Sequence, residues 1–237
     1  MLKTQGNKLT WLGHATFKIT THSGKVIMVD PWVFGNPSCP EALKKFERID
    51  TLLITHGHFD HIADAVELGK KFKPQIVAIH ETCKWLESKG VKNTLGMNKG
   101  GTQKVGEIEV TMVNAIHSCG IEDDGKIIYG GEACGYIIRL PGEMTLYHAG
   151  DTAVFGDMKL IAELYAPEVA MLPIGDYYTM SPREAAMAIR LLSLKHVIPM
   201  HFGTFPSLTG SPEELKKLTH DISGLEIHAL RPGESIS

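Results

Sequence analysis

The stretch at residues 51–65, "TLLITHGHFDHIADA", decides how the chain is read. Its first half is a compact apolar run suited to a buried strand. The following "HIADAVELGKKF" places apolar residues at near-helical spacing. A strand-to-helix bend therefore falls on residues 56–61, which hold three histidines and an aspartate. His56 and His58, two positions apart, can point the same way, while Asp60 and His61 reach a second point from the next turn. One motif can thus serve two adjacent divalent ions: imidazole suits zinc, iron, manganese or nickel, and a carboxylate compensates their charge.

Three further strands end on groups of the same kind. "VTMVNAIH" runs into His117, "TLYHAGD" into Asp151 and "VIPMH" into His201. Strand ends and the loops behind them are where layered α/β proteins aim side chains at one point, because the scaffold there is rigid.

Around these segments, "KLTWLG", "ATFKITT" and "KVIMVD" read as early strands, with "QIVAIH", "EIEVTMVNAIH", "GYIIRL", "PEVAMLPIG" and "GLEIHAL" following. "ETCKWLESKG" predicts a helix stopped by Gly90. "SPREAAMAIRLLSL" and "SPEELKKLTHDI" both open with Ser-Pro-x-Glu, a helix-start signal. Strands that recur between helices in both halves favour a layered α/β fold. With no low-complexity tract or linker to divide them, residues 1–237 are expected to form one domain.

Composition narrows the function classes. The chain has 237 residues, 43% apolar and 22% charged, with a formal net charge of -3. It can build a sizeable core, and nothing supports a nucleic-acid partner. No run approaches the roughly 20 apolar residues that span a bilayer. Cys39, Cys83, Cys119 and Cys134 stand far apart without a CxxC pair, which fits reduced thiols, and the expected location is cytoplasmic.

"THGHFDH", followed by a distant His, then "GD", then a late strand-terminal His, resembles the metallo-β-lactamase superfamily over essentially the whole chain. That resemblance implies an α/β four-layer αββα sandwich with two divalent metal ions between the sheets, zinc first among the candidates. One ion would take His56, His58 and His117, the other Asp60, His61 and His201, and Asp151 would bridge them. "TWLGHATFKI" and "VDPW" are similar to the branch that holds L-ascorbate-6-phosphate lactonase and the N-acylphosphatidylethanolamine-hydrolysing phospholipase D. "LPIGDYYTMSPREA" and "MHFGTFP" look most like its members described only as metal-dependent hydrolases. True metallo-β-lactamases carry cysteine where this chain has Asp151, so antibiotic hydrolysis is not expected.

Asp30 resembles the superfamily's aspartate that orients a ligand histidine from behind. His14 is either a rim residue that contacts substrate or donates a proton, or a structural histidine bonded to backbone. Asp176, Tyr177, Tyr178 and Thr179, with Phe202, Thr204 and Phe205, either shape a substrate pocket or pack its lid. His80 and His148 are expected to be structural.

The expected reaction is hydrolysis of a small phosphodiester, lactone or ester by a hydroxide that bridges the two metals, with Asp60 orienting it. Two other classes use the same ligands: a diiron redox or oxygen-handling protein, and a metal-binding protein without turnover. Glutamate, not His58, stands in the flavodiiron oxygen reductases, and no flavin domain follows here. A homo-oligomer would help to wall the pocket of so small a chain.

Overall fold

Period-two alternation along each strand feeds adjacent residues into different apolar layers, and this builds the architecture. The computed structural model describes residues 2–237. In chain order the elements are β1 (Lys8–Gly13), β2 (Thr16–Thr20), β3 (Val26–Val29), β4 (Thr51–Leu53), α1 (Phe59–Ile62), α2 (Ala65–Phe72), β5 (Gln75–Ile79), α3 (His80–Ser88), β6 (Thr94–Met97), β7 (Thr102–Val105), β8 (Ile108–Asn114), β9 (Gly120–Asp123), β10 (Lys126–Tyr129), β11 (Cys134–Arg139) and β12 (Thr145–His148). They continue with α4 (Met158–Tyr165), β13 (Val169–Pro173), α5 (Pro182–Leu191), β14 (His196–Met200), α6 (Pro212–Leu218), β15 (Glu226–Ile227) and β16 (Ser235–Ile236).

One sheet runs β16-β1-β2-β3-β4-β5-β6 and the other β15-β14-β13-β12-β11-β8-β7. Both are mixed: β3 to β6 and β12 to β15 are parallel, and the remaining neighbours are antiparallel. Ile27, Val29 and Leu53 enter the core between the sheets, where they meet Tyr136, Leu146, Met171 and Ile198 from the opposite side. Their neighbours Met28, Leu52 and Ile54 face outward onto Ala65, Leu68, Cys83 and Leu86 of α2 and α3. On the other sheet, Tyr147, Ala170 and Leu172 face Met158, Ala188, Ile189 and Leu215 of α4, α5 and α6. Three apolar layers separated by two sheets make the αββα sandwich. Tyr136, fully buried between the sheets, donates its hydroxyl to the Ile54 carbonyl at 2.8 Å, which offsets the cost of burying it.

Both Ser-Pro-x-Glu signals start helices. Ser181 Oγ accepts from the Glu184 amide, with the reciprocal bond to the Ser181 amide completing a capping box, and Ser211 Oγ accepts from the Glu214 amide. The helix expected behind the histidine motif is split into α1 and α2. Its break falls at Asp64, whose backbone amide leaves the helical ladder to donate to the Pro31 carbonyl at 2.9 Å, while its carboxylate accepts the Val33 and Phe34 amides of the loop after β3. The hairpin β9–β10, turning at Asp124 and Gly125 with φ of 50° and 71°, is an Asp-Gly turn that the strand reading passed over. The expected last strand shortens to β15, and the chain returns to the first sheet as β16. All four cysteines are buried and unpaired. Among the described residues, no helix is long and apolar enough to cross a membrane.

Candidate metal centre

The four strand ends singled out in the sequence converge on one point. His56 follows β4, His117 follows β8, Asp151 follows β12 and His201 follows β14, while α1 adds Asp60 and His61. Two glycines make the approach possible. A Cβ on Gly57 would lie 2.4 Å from Ile121 Cγ1, and one on Gly150, at φ 62°, would lie 2.6 Å from the Cys134 carbonyl.

Asp151 is at the centre. Its Oδ2 lies 3.0 Å from His201 Nε2, 3.3 Å from His61 Nε2, 3.6 Å from His117 Nε2 and 3.9 Å from His56 Nε2. His56 Nε2 and His58 Nδ1 are 3.0 Å apart. Asp60 Oδ2 is 3.8 Å from His201 Nε2 and 3.9 Å from His61 Nε2. Two ligands of one tetrahedral zinc, each about 2.0–2.1 Å from it, stand about 3.4 Å apart, so these separations suit donors sharing an ion. The donors fall into a His56–His58–His117 group and a group of Asp60, His61, His201 and His14, joined by a third group of His56, His61 and Asp151.

The residues behind the donors fix which ring nitrogen faces inward. Asp30 accepts the Thr55 amide at 2.8 Å and the Thr55 hydroxyl at 2.8 Å, and its Oδ2 lies 2.8 Å from His61 Nδ1. With its own proton given to Asp30, Thr55 Oγ1 can only accept from His56 Nδ1, 3.0 Å away. Both His56 and His61 therefore present Nε2 to the centre. Ser118 Oγ, 3.2 Å from His58 Nε2, leaves that ring to present Nδ1. Such partners fix the tautomer of a metal-binding imidazole. Thr55 and Ser118 are absent from the sequence reading; each is adjacent to a recognised histidine, and that adjacency is the only signal for them.

A divalent ion fits these residues. His61 Nε2, both ring nitrogens of His201 and Asp151 Oδ1 are buried without a hydrogen-bond partner, an arrangement that costs free energy unless something accepts their lone pairs. Protonation states agree at His56, His58, His117, Asp60 and Asp151. Burial, then the charge of His61, holds the pKa of His56 well below its usual value, and burial is also the main cause of lowering at His58 and His117. Burial pushes the carboxyls of Asp60 and Asp151 upward, but His61 for Asp60 and His201 with His61 for Asp151 outweigh it and keep both low. His61 is the exception: burial opposes its charge, yet Asp151, Asp30 and Asp60 raise its pKa well above the ordinary value, so a metal binding there would have to displace a proton.

His14 is not at the rim. It is fully buried, with Nε2 2.9 Å from Asp60 Oδ2 and its ring 3.9 Å from that of His201. Its carbonyl accepts the His201 amide at 3.0 Å, so the β1–β2 turn carries it beneath the site. The proposed pocket loops also divide. Tyr178 and Phe205 line a cavity of about 740 Å³ over the centre, whose other walls are Phe59, Ser118, Glu122 and Ile127. Asp176, Tyr177, Thr179, Phe202 and Thr204 do not line it. Phe202 turns inward after His201, whose φ is 57°, and stacks on Trp11 at 5.3 Å. Thr204 lies against Ser38, and Tyr177 stands edge-on to Tyr178.

His80 is exposed, opens α3 and belongs to none of the donor groups. His148 is fully buried, with Nε2 3.0 Å from the Ala15 carbonyl, and burial is the main cause of its lowered pKa. Below pH 6.5 the unfolded chain binds a proton that folded His148 refuses, so this residue contributes stability above 6.5 that is lost as the pH falls. In urea titrations at pH 7.5 and 5, His148→Gln is expected to lose less unfolding free energy than the unsubstituted protein. Equal losses would show that His148 does not titrate in this way.

An αββα sandwich with a histidine-aspartate cluster at the strand ends defines a class, and comparison with known proteins places the chain in it. Residues 8–201 match the family model for the beta-lactamase superfamily domain. The chain is 59% identical over 233 residues to a UPF0173 metal-dependent hydrolase of Koribacter versatilis, covering 98% of this chain and 99% of the relative. Identity to the corresponding protein of Solibacter usitatus is 58% over 229 residues, covering 97% and 99%. Among solved structures, Igni18, a metallo hydrolase from Ignicoccus hospitalis, aligns with a TM-score of 0.85 at 36% identity over 97% of each chain. The chain belongs to the beta-lactamase superfamily as a metal-dependent hydrolase of the UPF0173 group.

Proposed function

We propose that the protein hydrolyses a small phosphodiester, ester or lactone with a pair of divalent ions. His56, His58 and His117 hold one ion, Asp60, His61 and His201 hold the other, and Asp151 lies between them. The observation that carries this reading is the position of Asp151 Oδ2, within 3.0 to 3.9 Å of imidazole nitrogens from both groups. The nitrogen-rich donor set suits zinc first, with manganese, iron or nickel as alternatives.

Such ions, when bound, acidify a water toward neutral pH and draw charge from the scissile bond. The side chains supply the order around that chemistry. Ionised Asp60 accepts a hydrogen from the attacking water and so fixes its orientation, while His14 Nε2 holds the Asp60 carboxylate from below. Asp30, Thr55 and Ser118 keep the histidines in the tautomers that present lone pairs inward. Four buried thiols suit a reducing compartment, which makes the cytoplasm the proposed location.

Elemental analysis of the purified protein is expected to find about two divalent ions per chain, in keeping with a two-metal site. A chelator is expected to abolish hydrolysis of bis(p-nitrophenyl) phosphate, p-nitrophenyl butyrate and γ-butyrolactone alike, and added metal to restore it. Full activity in metal-free protein would overturn the reading.

A further inference from the structure

The cavity over the metal centre differs from an anion site in its walls. Its floor is the histidine-aspartate cluster, and its sides are Phe59, Tyr178, Phe205 and Ile127. No lysine or arginine lines it, and Glu122 adds a further carboxylate. Phosphate recognition normally recruits guanidinium, ammonium or helix N-terminal amides to spread the negative charge. With Asp60 and Asp151 committed to the ions they would hold, a phosphodiester anion would find its only counter-charge at the cavity floor, while the walls offer it the Glu122 carboxylate and no lysine or arginine.

The apolar walls are fixed in place. Trp32, itself buried, stacks on Phe205 at 5.8 Å and stands edge-on to Phe59 at 5.7 Å. On the hairpin, Ile121 is buried over Gly57, which turns its neighbour Glu122 outward, and the register sets Ile127 opposite Glu122. Ile127 is 83% exposed, so its apolar surface is available to a ligand. A cavity of about 740 Å³ accepts a medium-sized organic molecule.

We infer that the substrate is an uncharged carboxylic ester or lactone with an apolar arm, and that the β9–β10 hairpin selects it. This rests on the metal-dependent hydrolase reading above. The water oxygen bonds to the acyl carbon and the acyl C–O bond breaks. One water proton goes to the departing alkoxide, which leaves as an alcohol, and the product acid carries the other. The arm lies against Phe59, Tyr178, Phe205 and Ile127, while Glu122 disfavours anionic competitors.

The test compares the metal-loaded enzyme on p-nitrophenyl butyrate, p-nitrophenyl octanoate and bis(p-nitrophenyl) phosphate, each kcat/KM divided by the uncatalysed rate. Octanoate is expected to exceed butyrate, and Ile127→Ser to lower that preference about tenfold through lost apolar contact. Glu122→Lys is expected to raise the phosphodiester-to-ester ratio about tenfold by reversing a charge in a partly desolvated cavity. Chelator-sensitive turnover that favours the phosphodiester would overturn the inference and leave the metal-hydrolase reading standing. A chain-length preference that Ile127→Ser leaves unchanged would do the same. Absence of any metal-dependent turnover on all three would overturn both.

Discussion

Asp151→Ala is expected to lose on the order of a thousandfold in kcat/KM, about 4 kcal/mol of transition-state stabilisation, together with much of its bound metal. One atom of its side chain lies near both donor groups: Oδ2 reaches His201, His61, His117 and His56. Removing it would leave those imidazoles converging without the negative charge that balances the two proposed cations, whose mutual repulsion would then go unscreened. The backbone has less at stake. The loop is anchored by the Ala149 amide on the Met171 carbonyl and the Ala153 amide on the Ile116 carbonyl, neither of which involves the side chain. Metal content by elemental analysis and kcat/KM on the best of the test esters should therefore fall together, while far-ultraviolet circular dichroism stays unchanged. A variant that keeps both ions and its rate would show that the carboxylate is not shared.

The parts of this site that were legible from residues alone are those written in local spacing. The bend at residues 56–61 compresses four donors into one motif, and the strands leading to His117, Asp151 and His201 announce themselves by apolar runs. The two Ser-Pro-x-Glu starts are equally local, since the cap and its partner are three residues apart. What escaped depends on contacts between distant segments. Nothing near His14 says that the β1–β2 turn will pass under Asp60, and nothing near Phe202 says that a left-handed His201 will rotate it onto Trp11. The cavity walls failed for the same reason: Ile127 and Glu122 reach the centre only because Ile121 packs on Gly57, some sixty residues earlier in the chain. The Asp-Gly turn that makes the hairpin was visible, but its destination was not.

Gly175→Ala is expected to combine a large stability loss with a displaced ligand. A Cβ there would lie 2.0 Å from the His201 carbonyl oxygen, far inside contact distance, and both partners are backbone. Neither can retreat easily. Pro173 and Met200 are paired in the β13–β14 ladder, the Ile174 amide is bonded to the Met200 carbonyl at 3.0 Å, and Gly210 closes on the Ile174 carbonyl from the other side. Relief must come from pushing residues 200–203 outward, which draws His201 Nε2 away from Asp151 and strains its amide bond to the His14 carbonyl. Overpacking of this kind costs about 3 kcal/mol, which for a protein of this size lowers Tm by roughly 6–12 °C. A ligand shift approaching 1 Å adds about a hundredfold loss of kcat at temperatures where the protein is still folded. Gly156→Ala is the matched control, because its Cβ would meet nothing within 4 Å and its Tm and rate should hold. If Gly175→Ala melts with Gly156→Ala and turns over as fast, the close approach of these two backbones is not what seats His201.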